Sequence, residues 1–167
     1  NKYLSKIQNT QSVALCIRSN RFTEKAGKIT EKDRKNSEIF VKEQIEYIKK
    51  AIVFFKQKLN EPIFYLWSNN LQELPNEFSY ENIVHIDNNN IDNNKDRIIC
   101  DFFLMTNCKH YVVTPSSYNW WGCWLSKSEN SIIFKPFKYL KNVGIKNPQK
   151  TCCHKKNFTS KIEYKSD

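Results

Sequence analysis

The chain is predicted to be an α/β protein, a Rossmann-like parallel sheet with crossover helices, and three observations predict it. Apolar runs of strand length recur at Ser12–Ile17, Ile63–Trp67, Ile83–Ile86, Tyr111–Val113 and Ile132–Phe134. Helix-spaced segments separate them, most clearly Ser37–Leu59, where Ile45, Ile48, Ile52, Phe55 and Leu59 recur at steps of three and four. Polar residues crowd the ends of the runs: Arg18 to Arg21, Ser68 to Asn70, Asp87, and Thr114 to Tyr118. A run that is apolar throughout suits a strand buried on both faces, and strand–helix alternation marks a parallel sheet.

Residues 1–11 are polar and read as an irregular or helical lead-in to the first strand. Residues 23–36 are charged and read as a loop before the amphipathic helix Ser37–Leu59. Pro62 is expected to close the turn into the second strand, and Leu71–Phe78 to form a short helix before the third. The Asn-rich stretch 88–95 reads as a surface loop, and helical spacing returns through Ile98, Phe102 and Met105. Tyr118–Leu125 opens the next helix, with Trp120, Trp121 and Trp124 expected to pack it on the sheet, and Pro136 is expected to stop the fifth strand. Residues 1–142 form one domain on this reading, and 143–167 a basic, partly irregular tail.

At 167 residues the chain is long enough to bury a substantial core, and 14% aromatic residues indicate one built from Phe, Tyr and Ile. The net charge of +10 favours anionic partners. Its lysines are spread along the chain without a basic patch interleaved with aromatics, which argues against nucleic acid as a partner. Four of the six cysteines, at 16, 100, 108, 123, 152 and 153, lie in apolar runs, so free thiols in a reducing compartment are expected rather than a disulfide framework. None of them shows the C-x-x-C spacing of a zinc site, and no metal is expected. There is no signal peptide and no apolar run of membrane-spanning length. The first residue is Asn rather than Met, which points to a fragment lacking an upstream part.

In a doubly wound sheet the ligand lies beyond the C-terminal strand ends, where the strand order reverses. Arg18 and Arg21 read there either as forked phosphate donors or as surface cations. Ser68, Asn69 and Asn70 read as site residues or as a turn. Ser116 and Ser117, after Pro115, read as a phosphate-binding helix N-terminus or as an ordinary N-cap. Their common location at strand ends points to a phosphate-bearing ligand.

One stretch carries a resemblance. Asp101, Leu104, Met105, Cys108, Lys109 and His110, followed by Ser116, Ser117, Tyr118, Trp120, Trp121, Gly122, Trp124 and Leu125, resemble the C-terminal motif of bacterial-type α-1,2-fucosyltransferases, glycosyltransferase family 11. Ile132 to Pro136 resembles the strand and proline that follow it. Upstream, Ser12–Phe22 is similar to the donor motif, a strand running into His-x-Arg-Arg-x-Asp, and Ile63–Asn70 to a Phe-Ser-Asp-Asp strand end. The resemblance covers residues 12–140 and implies the C-terminal, donor-binding lobe of a GT-B enzyme.

The resemblance implies GDP-fucose as donor substrate, with no further cofactor and no metal, and an oligosaccharide or lipid-linked glycan as acceptor. It implies inverting transfer through an oxocarbenium-like state. Arg18 would be the catalytic residue, stabilising the departing diphosphate. Arg21, Asp101, Ser116, Ser117 and Tyr118 join Arg18 as donor-binding candidates. Asp101 would face the guanine edge, and the serines would hold the diphosphate from the helix N-terminus. Cys16, Asn20, Ser68 and Asn69 are weaker donor-site candidates. This chain departs from the motif at Cys16, Ser19 and Arg21, where the family has His, Arg and Asp, and Asn69 and Asn70 replace paired acids. The implied location is cytoplasmic with peripheral association at the inner membrane, or the Golgi lumen for a eukaryotic source. A nucleotide-binding homologue without turnover, a glycosyltransferase using another nucleotide sugar and a basic binding module stand as the other readings.

Overall fold

A computed structural model of the chain describes residues 2–70, 78, 82–88, 91, 93–136 and 161–164. At its centre stands β1 (Gln11–Ile17), an apolar strand whose residues from Ser12 onward are all buried. On one side β1 pairs in parallel with β2 (Pro62–Ser68), in register from Gln11↔Pro62 to Ile17↔Ser68. On the other side it pairs in parallel with β4 (His110–Val112). β3 (Ile83–His85) extends the sheet beyond β2, and β5 (Ile133–Pro136) extends it beyond β4. β6 (Lys161–Tyr164) adds to β5 from within the stretch read as a tail. The six strands are parallel, in the order β3-β2-β1-β4-β5-β6. The chain thus runs outward from β1 through β2 to β3, then returns to the opposite flank of β1 for β4, which places the reversal of strand order between β1 and β4.

The period of two along β1 divides the core into two layers. Val13, Leu15 and Ile17 face α2 (Glu31–Lys58), packing with Ile48, Phe55, Phe64 and Leu66. Ala14 and Cys16 face the other layer, where α1 (Leu4–Asn9), α3 (Asn94–Thr106) and α4 (Ser117–Trp124) contribute Ile7, Leu104, Met105 and Cys123. Phe40, Phe55, Phe64 and Phe134 are fully buried, each contributing roughly 1.5–3 kcal/mol by leaving water.

Several boundaries differ from the sequence reading. The helix expected from Ser37 begins at Glu31, inside the stretch read as a loop, because Thr30 and Asp33 form a capping box. Each supplies a side-chain acceptor to the other's backbone N–H, at 3.2 and 2.8 Å. Asp33 is held below the usual carboxylate range, first by Lys25 and then by Thr30. Pro62 does not close a turn but is the first residue of β2, where its missing N–H is tolerated, while β5 ends at Pro136 as expected. Asn93 caps α3, so that helix starts inside the Asn-rich stretch. The helix expected at Leu71–Phe78 falls, apart from Phe78, outside the described residues.

The tryptophans of α4 are a further correction. The residues buried in the core are Asn119, Gly122 and Cys123, while Trp121 is exposed and the half-buried Trp120 and Trp124 stack on each other. A polar Asn and a Gly take the inward positions because the layer beneath is already filled by Cys16 and Met105. Among the described residues Cys16, Cys108 and Cys123 are buried, Cys100 is half-buried, and none of them forms a disulfide. Among the described residues no helix is long and apolar enough to cross a membrane.

Candidate functional site

The C-terminal ends of β1, β2 and β4 lie side by side at the reversal of strand order, where a doubly wound sheet forms its crevice. Beyond β1 the chain turns through Arg18, Ser19, Asn20 and Arg21. Gln44 of α2 fixes the start of this turn: its Oε1 accepts from Arg18 N at 3.3 Å and its Nε2 donates to Arg18 O at 2.9 Å. Sequence reasoning misses Gln44 as a site residue, although a polar side chain between Phe40 and Ile48 on an apolar stripe is the signal that marks it. Asn69, beyond β2, accepts from Ser19 N at 2.8 Å and donates to Asn20 Oδ1. Ser68 Oγ accepts from Asn70 N at 3.1 Å, shaping the same turn. The structure therefore brings Asn20, Ser68 and Asn69 together, as supports of the backbone.

The two arginines take different postures. Arg18 is paired with Glu24, and both side chains remain partly open to solvent. Arg21 lies over the Phe40 ring, 5.5 Å from its centroid, and donates from Nη1 to Pro115 O at 2.8 Å. That bond spans the crevice from the end of β1 to the loop after β4. A guanidinium on an aromatic face keeps its remaining N–H groups directed outward for an oxyanion.

The opposing wall is the Thr114–Ser117 loop and the first turn of α4. Ser116 is the N-cap, its Oγ accepting from Asn119 N at 3.5 Å, and its own N–H turns back to Thr114 O at 2.7 Å. The N–H groups of Ser117 and Tyr118 follow in the first turn, where a helix leaves its amides without intrahelical partners and its dipole favours an anion. Ser117 is exposed there. Tyr118 is committed elsewhere, since its hydroxyl donates to Ile98 O at 2.9 Å, its ring meets Phe102 edge-on, and burial holds its phenol well above the usual range.

Asn119 holds this wall to β1, and nothing in the sequence singles it out. It is fully buried, accepts from Thr114 N at 2.7 Å through Oδ1, and donates from Nδ2 to Cys16 Sγ at 3.2 Å. Cys16 consequently points into the α3–α4 layer, and burial pushes its thiol up to about 12. Asp101, on α3, lies on this same layer. Asn88, which follows β3, donates to its Oδ1 at 2.6 Å. Burial raises its carboxyl above the ordinary value, while Asn88 and the Trp67 indole at the end of β2 pull it back. Among the described residues no group of three His, Cys, Asp or Glu side chains stands close enough to hold a metal ion.

The arrangement suits an anion: two guanidiniums and a helix N-terminus across a reversal of strand order, with a half-buried acid to one side. Comparison with known proteins is consistent with it, since the model of glycosyl transferase family 11 matches residues 7–158. The chain belongs to glycosyl transferase family 11. Among curated relatives of this family 11 chain, the O-antigen biosynthesis glycosyltransferase WbnK of Escherichia coli is 28% identical over 96 residues, covering 58% of this chain and 31% of the relative. An alpha-1,2-colitosyltransferase of Escherichia coli is 29% identical over 90 residues, covering 52% of this chain and 29% of the relative. The matches thus span about a third of the length of those relatives. No solved structure matches the chain.

Proposed function

We propose that this chain is the donor-binding part of an inverting glycosyltransferase that transfers fucose from GDP-fucose to a hydroxyl of an oligosaccharide or lipid-linked glycan, without a metal. The observation that carries the reading is the Arg21–Pro115 bridge, which sets the cationic turn after β1 against the α4 N-terminus at the point where strand order reverses. A diphosphate held there meets Arg18 and Arg21 on one side and the Ser117 and Tyr118 amides on the other. Phosphate competes with Glu24 for Arg18, whose guanidinium is partly open to solvent. As the bond between sugar and diphosphate breaks, negative charge grows on the leaving oxygen, and a fixed guanidinium stabilises it. In this reading Asp101, to which Asn88 donates, accepts from paired N–H donors on a purine edge.

A second reading has its own support. The departures at Cys16, Ser19 and Arg21, together with a relative named as a colitosyltransferase, favour a donor sugar other than fucose on the same nucleotide. Hydrolysis assays of the chain with GDP-fucose, other GDP-sugars and UDP-sugars separate the two. The fucosyl reading expects release of GDP fastest from GDP-fucose, with a loss of about a hundredfold or more in Arg18→Ala. Faster turnover of another GDP-sugar establishes the second reading, and turnover of UDP-sugars alone overturns both.

A further inference from the structure

α2 carries Phe40, Glu43 and Tyr47 at spacings of three and four, so the three share one stripe of the helix. Tyr47 reaches the C-terminal end of β4 directly, and Phe40 reaches the loop beyond it through Arg21. Phe40 lies beneath Arg21, whose guanidinium holds Pro115 O at 2.8 Å. Tyr47 shares its hydroxyl proton between Val113 O at 3.1 Å, just after β4, and Phe134 O at 2.9 Å, within β5. Glu43 stands between them, and its Oε2 is buried without a hydrogen-bond partner among the described residues.

A buried carboxyl oxygen left without a donor is costly, on the order of 1–3 kcal/mol or more, and a partner from outside the chain is one way such a group is completed. A carboxyl group repels phosphate, so the missing donor is not the diphosphate. Pro115 joins the two regions, because the residue that Arg21 holds directly precedes the N-cap of α4. The group attached to a diphosphate at the α4 N-terminus is therefore the candidate partner, and in a nucleotide sugar that group is rich in hydroxyl donors. We propose that Glu43 is a specificity-determining residue whose Oε2 accepts a hydrogen bond from a hydroxyl of the donor's glycosyl ring, so that the crevice reads the sugar as well as the nucleotide diphosphate. The inference rests on the nucleotide-sugar reading above.

Calorimetric titration of the chain with GDP and with GDP-fucose tests it, using Glu43→Gln and the near-isosteric Glu43→Met. The unmodified chain is expected to bind GDP-fucose more tightly than GDP. Both variants are expected to lose about tenfold in GDP-fucose affinity while GDP affinity stays within about twofold, the size of one lost hydrogen bond to a charged group. Glu43→Met is also expected to melt at a higher temperature without ligand, which shows that the loss is not misfolding. A sugar increment that survives both substitutions overturns the inference alone. An equal fall in GDP and GDP-fucose affinity also overturns it, because Glu43 then acts through Arg21 on the diphosphate. Failure of the unmodified chain to bind either ligand overturns the donor assignment and this inference with it.

Discussion

At the residue scale, three polar side chains, two of them buried, do most to fix the crevice. Gln44, Asn69 and Asn119 each bond to the backbone that leaves a strand, so the turns after β1 and β4 are set before any ligand arrives. His110, at the opposite end of β4, does related work on the sheet. Its Nδ1 accepts from Ile132 N at 3.1 Å and its Nε2 faces Gln11 Oε1 at 3.3 Å. Burial, aided by Lys109, lowers its pKa to about 4. The unfolded chain takes up this proton near pH 6.5, while the folded chain resists it, so stability falls as pH drops from about 6.5 to about 4 and this contribution levels off below that. Urea titrations across this range are expected to show a smaller pH slope for His110→Gln than for the unmodified chain. An unchanged slope contradicts the buried, neutral imidazole.

At the scale of the element, α4 shows what close approach demands. A Cβ built on Gly122 lies 2.5 Å from Met105 Sδ and 3.0 Å from its Cγ, and Met105 is itself fully buried in α3. Gly122→Ala gains about 1 kcal/mol in helix propensity but overpacks this contact, at about 1–3 kcal/mol. The expected net loss is about 1 kcal/mol in urea unfolding, and a double-mutant cycle with Met105→Ala, which removes both close atoms, is expected to show a favourable coupling. Gain of stability in the single variant contradicts the packing of α4 on α3.

The same helix shows what is legible in sequence and what is not. Strand runs and the amphipathic stripe of α2 are readable because burial on one or both faces imposes a period on the residues themselves. Burial of Asn119 and exposure of Trp121 are not readable, because they depend on Cys16 and Met105, which lie 103 and 14 residues away from Asn119 in sequence. The start of α2 escapes the sequence reading for a local reason. Thr30 and Asp33 form a capping box with Asp in place of the usual Glu, inside a run of charges that masks it. Glu24 and Glu43 lack a sequence signal, since an acid among many charges shows its surroundings only after folding.

At the scale of the whole molecule, the fold serves to bring distant turns to one edge. The parallel sheet places the residues after β1, β2 and β4 side by side although they are far apart in sequence. The donor site proposed at this crevice draws on two independent supports, family membership and the reversal of strand order between β1 and β4. Backbone amide shifts of the isotope-labelled chain, followed through a titration with GDP, test this assignment most directly. The largest shifts are expected at Arg18 to Arg21 and at Ser117 and Tyr118, with saturation that Arg18→Ala weakens. Shifts confined to other surfaces, or none at all, contradict a nucleotide site at the β1–β4 crevice.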